Sequence, residues 1–313
     1  MEQVATRDAY GKTLVELGRK MEKIVVLDAD LSKSTKTSLF AESFPSRFFN
    51  MGIAEADMMG TAAGLAASGY IPFASTFGVF ATGRVYDQIR NSIAYPRLNV
   101  KIAASHTGIT VGEDGASHQA LEDIAMMRVL PNMTLLVPAD GWQTRQAVEA
   151  AVLYDGPVYL RLGRLALPLV IPANLPFELG KGQILREGND LLIVSTGLMT
   201  GPALQAAEIL QKEGIHAAVV NIHTIKPIDG DLLIRMAGKT GAVVTAEEHS
   251  VIGVLGGAVA ELLAENYPVP VIRVGVEDTF GESGAPQALL QKYGLTTEKI
   301  VGAAKKAFKL KKI

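Results

Sequence analysis

The sequence contains no cysteine, which removes disulfides, thiolate nucleophiles and cysteine-based zinc sites together and suits a reducing compartment. An excess of one charge is lacking as well. The formal net charge is -2 and acidic and basic residues are interspersed, so no basic face is available to neutralise a run of phosphates, and nucleic acid is not an expected partner. No apolar stretch of about 18 residues runs free of charge, Gly or Pro, and the opening MEQVATRDAYGKTL has no basic-then-apolar signal pattern. A soluble, cytoplasmic protein without a membrane partner is the expectation. P-loop and G-x-S-x-G strings are also absent, which closes the commonest nucleotide and serine-hydrolase readings. The glycine-rich GVLGGAV at 253–259 lacks the spacing of a dinucleotide loop.

What is present is an ordinary globular composition, 313 residues with 48% hydrophobic and 20% charged, enough for two cores of usual size. Apolar periodicity predicts a helix over 8–21 and a buried strand over 24–27. A small-residue helix over 50–67 follows, of the kind that sits in a tight core or an interface. Strands at 70–74, 100–104, 134–137 and 158–162 then alternate with helices at 85–94, 121–128 and 143–152. This alternation without hairpin signals argues an α/β fold in which a mostly parallel sheet is flanked by helices. The proline-rich stretch 165–182 reads as a connector. Beyond it a smaller unit of the same kind has strands at 191–195, 217–221, 242–246 and 271–274. The domains expected are 1–168 and 188–313, joined by a linker at 169–187. The last nine residues carry five lysines, which read as a solvated helix end suited to the negative pole of the helix dipole.

Three clusters could carry chemistry. SHTGITVGEDGASHQ (105–119) gathers His106, Glu113, Asp114 and His118 after a predicted strand, where ligands bind in open α/β sheets. A polar turn would use the same residues. Its two imidazoles have no third ligand at a recognisable spacing, so no metal site is expected on this chain. NMGIAEADMMG (50–60) places the lone carboxylate Glu55 near the start of an apolar helix, where it could share a proton with a nitrogen base or simply offset the helix's positive end. In STFGVFATGRVYDQIR, Phe77 and Phe80 stand three apart and could face a ligand or the core.

In this order, NMGIAE, STFGVF, the long histidine loop, PADG, DGPVYLRLGR and HTIKPID at 223–229 resemble the transketolase family along nearly the whole chain. The resemblance covers only the pyrimidine-binding and C-terminal domains of a full transketolase. GDG, the string that would hold magnesium and diphosphate, is missing. The chain is also read as beginning at a helix, as a separate subunit would. The resemblance therefore implies a split enzyme using thiamine diphosphate, in which an N-terminal transketolase subunit supplies the diphosphate site and the ligands for magnesium or calcium. A two-plus-two heterotetramer with the active site at the subunit seam is the simplest assembly. It further implies transfer of a two-carbon ketol unit between a ketose phosphate and an aldose phosphate, as in the pentose phosphate pathway.

Residue by residue, the resemblance makes Glu55 the carboxylate that trades a proton with the aminopyrimidine, Phe80 its stacking platform and Phe77 a pocket wall. Gly83 stands where some relatives carry a further aromatic. Asp30 matches a position near the thiazolium. His106 and His118 match catalytic and substrate-channel positions, Asp114 an acceptor-hydroxyl contact, and Arg7, Ser34 and Arg164 sugar-phosphate contacts. A deoxyxylulose-phosphate synthase-like subunit and a non-catalytic scaffold paralogue are the alternatives.

Overall fold

The computed structural model describes residues 3–311; Lys312 and Ile313 of the lysine-rich end lie outside them. Two sheets organise the chain. The first runs in the order Thr224–Lys226, Thr134–Leu136, Val158–Arg161, Lys101–Ser105, Ile71–Phe77, Ile24–Asp28, Phe48–Asn50, all parallel except the first pairing. The second runs Val271–Val276, Val243–Ser250, Leu191–Ser195, Ala217–Asn221, Gln183–Arg186, with only the last strand antiparallel. The expected α/β architecture of two mostly parallel, helix-flanked sheets is what forms. Its central strands are buried on both faces, as near-continuous Val, Ile and Ala runs require.

The two domains are not independent beads. Thr224–Lys226 leaves the second half to pair with Thr134–Leu136 of the first sheet, and one apolar core joins Leu27, Ala74 and Ile102 to Leu192, Val220 and Val243. Two of the motifs prove to be helix caps that also tie down the connector. Asp140 of PADG accepts from the Gln143 amide at 2.8 Å and, through its other oxygen, from Val170 and Ile171. Asp229 of HTIKPID caps Gly230–Thr240 and accepts from Gly182 at 2.9 Å. Each carboxylate satisfies orphan amides at a helix start.

Several expectations need correction. The described chain opens with a short strand, Gln3–Ala5, paired antiparallel with Ala166–Pro168, and its first helix, Thr6–Lys20, starts earlier than expected. The helix expected over 50–67 is divided: Phe48–Asn50 is a strand and the helix is Glu55–Ala67. The break follows from Asn50, whose side-chain oxygen accepts from the Gly52 amide at 3.0 Å, and from Gly52 at φ 69. The stretch 85–94 is a short α-turn, Tyr86–Gln88, continuing as a π-helix, Ile89–Ala94. Helices Gly230–Thr240 and Pro286–Lys292 were not anticipated. The C-terminal helix, Thr297–Leu310, is amphipathic, burying Ile300, Val301 and Ala304 while Lys305 pairs with Glu213. Among the described residues no helix is long and apolar enough to cross a membrane.

Candidate active site

Parallel pairing in register aligns the carboxyl ends of the central strands. Asp28 lies opposite Ser75 and Asn50, and Phe77 opposite Ser105. The loops that leave these ends carry nearly all of the candidate residues, at the edge where an open α/β sheet accepts ligands.

Glu55 is the first residue of its helix and only 6% exposed. A carboxylate there meets the positive pole of the helix. Its partner is Arg84, which the sequence reading passed over. Nη1 of Arg84 donates to Oε1 of Glu55 at 2.7 Å, and the guanidinium carbon lies 3.9 Å from the centroid of the Phe80 ring. A planar N–H donor thus rests on an aromatic face and against a buried carboxylate. Arg84 follows Phe80 by four residues, a spacing that could have drawn notice, and it stands beside Gly83 where a third aromatic is missing.

The rings form one cluster. Phe77 and Phe80 are 5.9 Å apart with nearly parallel planes, His106 lies on Phe77 at 3.9 Å, and His118 meets Phe80 edge to face at 5.4 Å. His106 has a left-handed backbone, φ 51, a strained state for a residue with a side chain and one found at functional sites. Its Nε2 lies 2.9 Å from Arg7 Nη1, and its Nδ1 lies 2.9 Å from Ser105 Oγ. Arginine has no acceptor, so Nε2 must accept and Nδ1–H must donate. Burial, then the cations Arg7, Arg164 and Lys36, push the imidazole down to about 3. His106 is therefore a neutral ring at neutral pH.

Arg7 also donates to the Ser34 carbonyl at 3.1 Å, while its buried Nε has no partner among the described residues. Its guanidinium pKa is lowered, chiefly by burial and also by nearby Arg164. Arg164 donates to the Val111 carbonyl at 2.8 Å and stands 3.7 Å from both Glu113 and Asp114. Arg7, Arg164, Lys36 and His118 thus gather around His106, Lys36 being paired with Asp8 at 3.2 Å, and the two guanidinium groups suit phosphate oxygens. Asp30 is exposed, at φ 64, and is held by Asn50 Nδ2 at 3.0 Å; it joins none of the ring contacts. Beneath it, Asp28 is fully buried, with Thr35, Thr37 and the Leu31 amide as donors. Burial raises that carboxyl against the pull of those hydrogen bonds.

The structure therefore brings Glu55 (through Arg84), Phe80, Phe77, His118, His106, Arg7 and Ser34 into one chain of contacts, with Asp114 and Arg164 on two adjoining loops. Among the described residues no group of three or more His, Cys, Asp or Glu is placed to hold a metal ion. Glycines 60 and 64 of the helix that starts at Glu55 face open space and are exposed. That edge is not part of this chain's own core.

Comparison with known proteins agrees over both domains. The family model for the transketolase pyrimidine binding domain matches residues 2–170, and that for the transketolase C-terminal domain matches 180–300. A solved split gene transketolase, an inactive β4 tetramer, is 62% identical with a TM-score of 0.93, covering 98% of this chain and 99% of that one. A Methanocaldococcus jannaschii protein named for the C-terminal section of transketolase is 52% identical over 297 residues, 94% of this chain and 93% of that one. A 6-deoxy-6-sulfo-D-fructose transketolase subunit from Clostridium sp. strain MSTE9 is 48% identical over 304 residues, 97% of this chain and 94% of that one. With both domain models matched in order and two near-full-length relatives well above chance similarity, the chain belongs to the transketolase family.

Proposed function

We propose that this chain is the C-terminal subunit of a split, thiamine-diphosphate-dependent transketolase that moves a two-carbon ketol unit from a ketose phosphate to an aldose phosphate. The observation that carries the reading is the Arg84 guanidinium, planar and bearing N–H groups, held between the Phe80 face and the buried Glu55 carboxylate. An aminopyrimidine asks for the same two contacts, an aromatic face and a carboxylate at a ring nitrogen, so the residues present fit the coenzyme. When bound, thiamine diphosphate would supply the electron sink for carbon–carbon cleavage.

The chain's own residues would do the rest. Glu55 would hold and return a proton at the pyrimidine ring nitrogen, in a setting kept poor in water by Phe77 and Phe80. His106 and His118 would line the reacting carbon's approach. The neutral His106 ring cannot repel a cationic coenzyme, and its Nε2 becomes a free acceptor once Arg7 turns to a phosphate. Arg7, Ser34 and Arg164 would fix the sugar phosphate, Asp114 would orient the acceptor hydroxyl, and Asp30 would stand near the thiazolium. Orientation of this kind supplies much of the rate in bimolecular chemistry.

Diphosphate and metal contacts would come from an N-terminal-type partner, because no GDG string exists in this chain. The exposed edge of Gly60 and Gly64 supports a close helix contact with that partner. Purification of the tagged chain from its own host, with the captured complex assayed on a ketose phosphate and an aldose phosphate, tests the reading. A GDG-bearing chain of similar size should co-purify and ketol transfer should require it. Release of carbon dioxide from pyruvate would favour a deoxyxylulose-phosphate synthase-like activity, and full activity of the chain alone would contradict the proposal.

A further inference from the structure

The loop that carries Asp114 has little intrinsic order. Gly108, Gly112 and Gly115 all take positive φ, at 75, 85 and 77, and Gly112 interrupts the 3-10 segment Ile109–Asp114. Such a segment needs outside contacts to hold one conformation, since glycine carries the largest backbone entropy to lose. Those contacts come largely from the other domain. Glu248, near the carboxyl end of the strand Val243–Ser250 and 5% exposed, reaches across 138 residues of sequence. One oxygen, Oε1, accepts from the Thr110 amide at 2.8 Å and from the Thr110 hydroxyl at 2.7 Å. A methyl group at Gly108 would fall on the same carboxylate, 2.5 Å from Oε2. Residue 108 has no room for a side chain because Glu248 occupies it.

The carboxylate is itself held. Arg161 Nη1 stands 3.9 Å from Oε2, and Arg161 Nη2 donates to the Glu248 carbonyl at 3.1 Å and to the Ala120 carbonyl at 3.3 Å. Asp123 fixes Arg161 at 2.9 Å and receives the Tyr159 hydroxyl at 2.7 Å. All of these groups are buried, and two carboxylates share the one guanidinium: Asp123 holds Arg161 directly while Glu248 stands farther from it and relies on the Thr110 donors, so the hydrogen-bonded members tie the strand end and the loop to one geometry. Further along the loop, Ser283 donates to the Glu113 carbonyl at 2.6 Å, and Gln119 donates to the carbonyls of Ile109 and Glu282. The side chains of Glu113 and Asp114 are left exposed beside Arg164.

We infer that Glu248 is a positioning residue: from the C-terminal domain it fixes the loop 109–114, and so sets where Asp114 and Arg164 meet the acceptor sugar phosphate. This gives the second domain a part in substrate placement. The inference rests on the transketolase reading for its substrate, while the bracing of the loop stands without it.

Hydrogen exchange on the chain and on its complex, together with acceptor kinetics, tests both parts. Glu248→Ala should speed exchange of the amides 109–114 at least about tenfold and leave those of Thr297–Leu310 unchanged. Thr110→Ala, which removes the hydroxyl from the opposite side, should loosen the same amides. Glu248→Gln, which keeps an acceptor of the same shape, should restore most of the protection. In the complex, Glu248→Ala should raise KM for the aldose phosphate about tenfold with kcat changed less than about threefold, the pattern of lost positioning. Should Glu248→Ala fail to fold, Thr110→Ala and Glu248→Gln carry the test. Unchanged exchange in the loop, or faster exchange spread evenly through the C-terminal domain, overturns the inference. If the unmutated complex transfers no ketol unit, the functional reading fails and the exchange result still decides the brace.

Discussion

Arg84 lies on Phe80 and donates to Glu55 at 2.7 Å, so a buried carboxylate at the carboxyl edge of the first sheet is paired with a cation that is itself half exposed. Arg84→Leu should keep the apolar cover of the ring but leave Glu55 without its partner. A loss of about 1–2 kcal/mol in urea unfolding is expected, below the cost of breaking a fully buried pair because water reaches the guanidinium. An unchanged midpoint would mean that the pair contributes nothing to the isolated chain.

Glu55→Gln preserves shape and a hydrogen-bond acceptor but cannot trade a proton. Ketol transfer by the complex should fall by about 10²- to 10⁴-fold with the melting temperature nearly unchanged. Retained turnover would return the chain to the scaffold class.

Two glycines with similar φ should respond differently to alanine. Gly69, at φ 87, has nothing within 4 Å of an added methyl, whereas Gly108, at φ 75, has the Glu248 carboxylate there. Gly69→Ala should cost about 1 kcal/mol, from backbone strain alone. Gly108→Ala should cost about 2–4 kcal/mol, since overpacking on Glu248 adds to the strain of a backbone at φ 75 and ψ -171. Thermal unfolding of both variants makes the comparison, and equal losses would refute the close packing of residue 108 on Glu248.

His223 is 1% exposed, stacked on Phe177 at 4.0 Å, and burial lowers its pKa to about 4. Above pH 6.5 the ring is neutral in both folded and unfolded chains and contributes no slope. Between 6.5 and about 4 the unfolded chain takes a proton that the folded chain refuses, so acid should cost roughly 1 kcal/mol per pH unit from this group. His223→Gln should flatten the fall in stability across that window when unfolding is followed at pH 4.5, 5.5 and 7.5. A slope identical to that of the unmutated chain would place the ring's titration elsewhere.

The sequence carried far for elements whose order comes from local pattern. Strands such as Leu191–Ser195 and Ala217–Asn221 are continuous apolar runs, and their limits were read correctly. Short elements whose existence depends on a distant partner were missed: Gln3–Ala5 pairs with Ala166–Pro168, and Thr224–Lys226 adds to the sheet of the other domain. Such segments of three residues have no period to detect. For the site, the motifs supplied Glu55, Phe77, Phe80 and the histidine loop. Arg84 was passed over because an arginine in a helix-like stretch reads as solvated surface unless the ring and carboxylate it touches are known.

By itself, then, the sequence determined the layered α/β architecture and the residue types gathered after each strand, because alternation of apolar runs and the chemistry of side chains are local properties. Tertiary structure alone decided that His106 would be a neutral acceptor under Arg7, that Asp30 would stand apart with Asn50, and that Glu248 would brace a loop 138 residues away. These are matters of desolvation and of reach across space. Both arise only when the sheet register and the contact of the two domains bring the groups within hydrogen-bond distance, and no spacing along the chain encodes them.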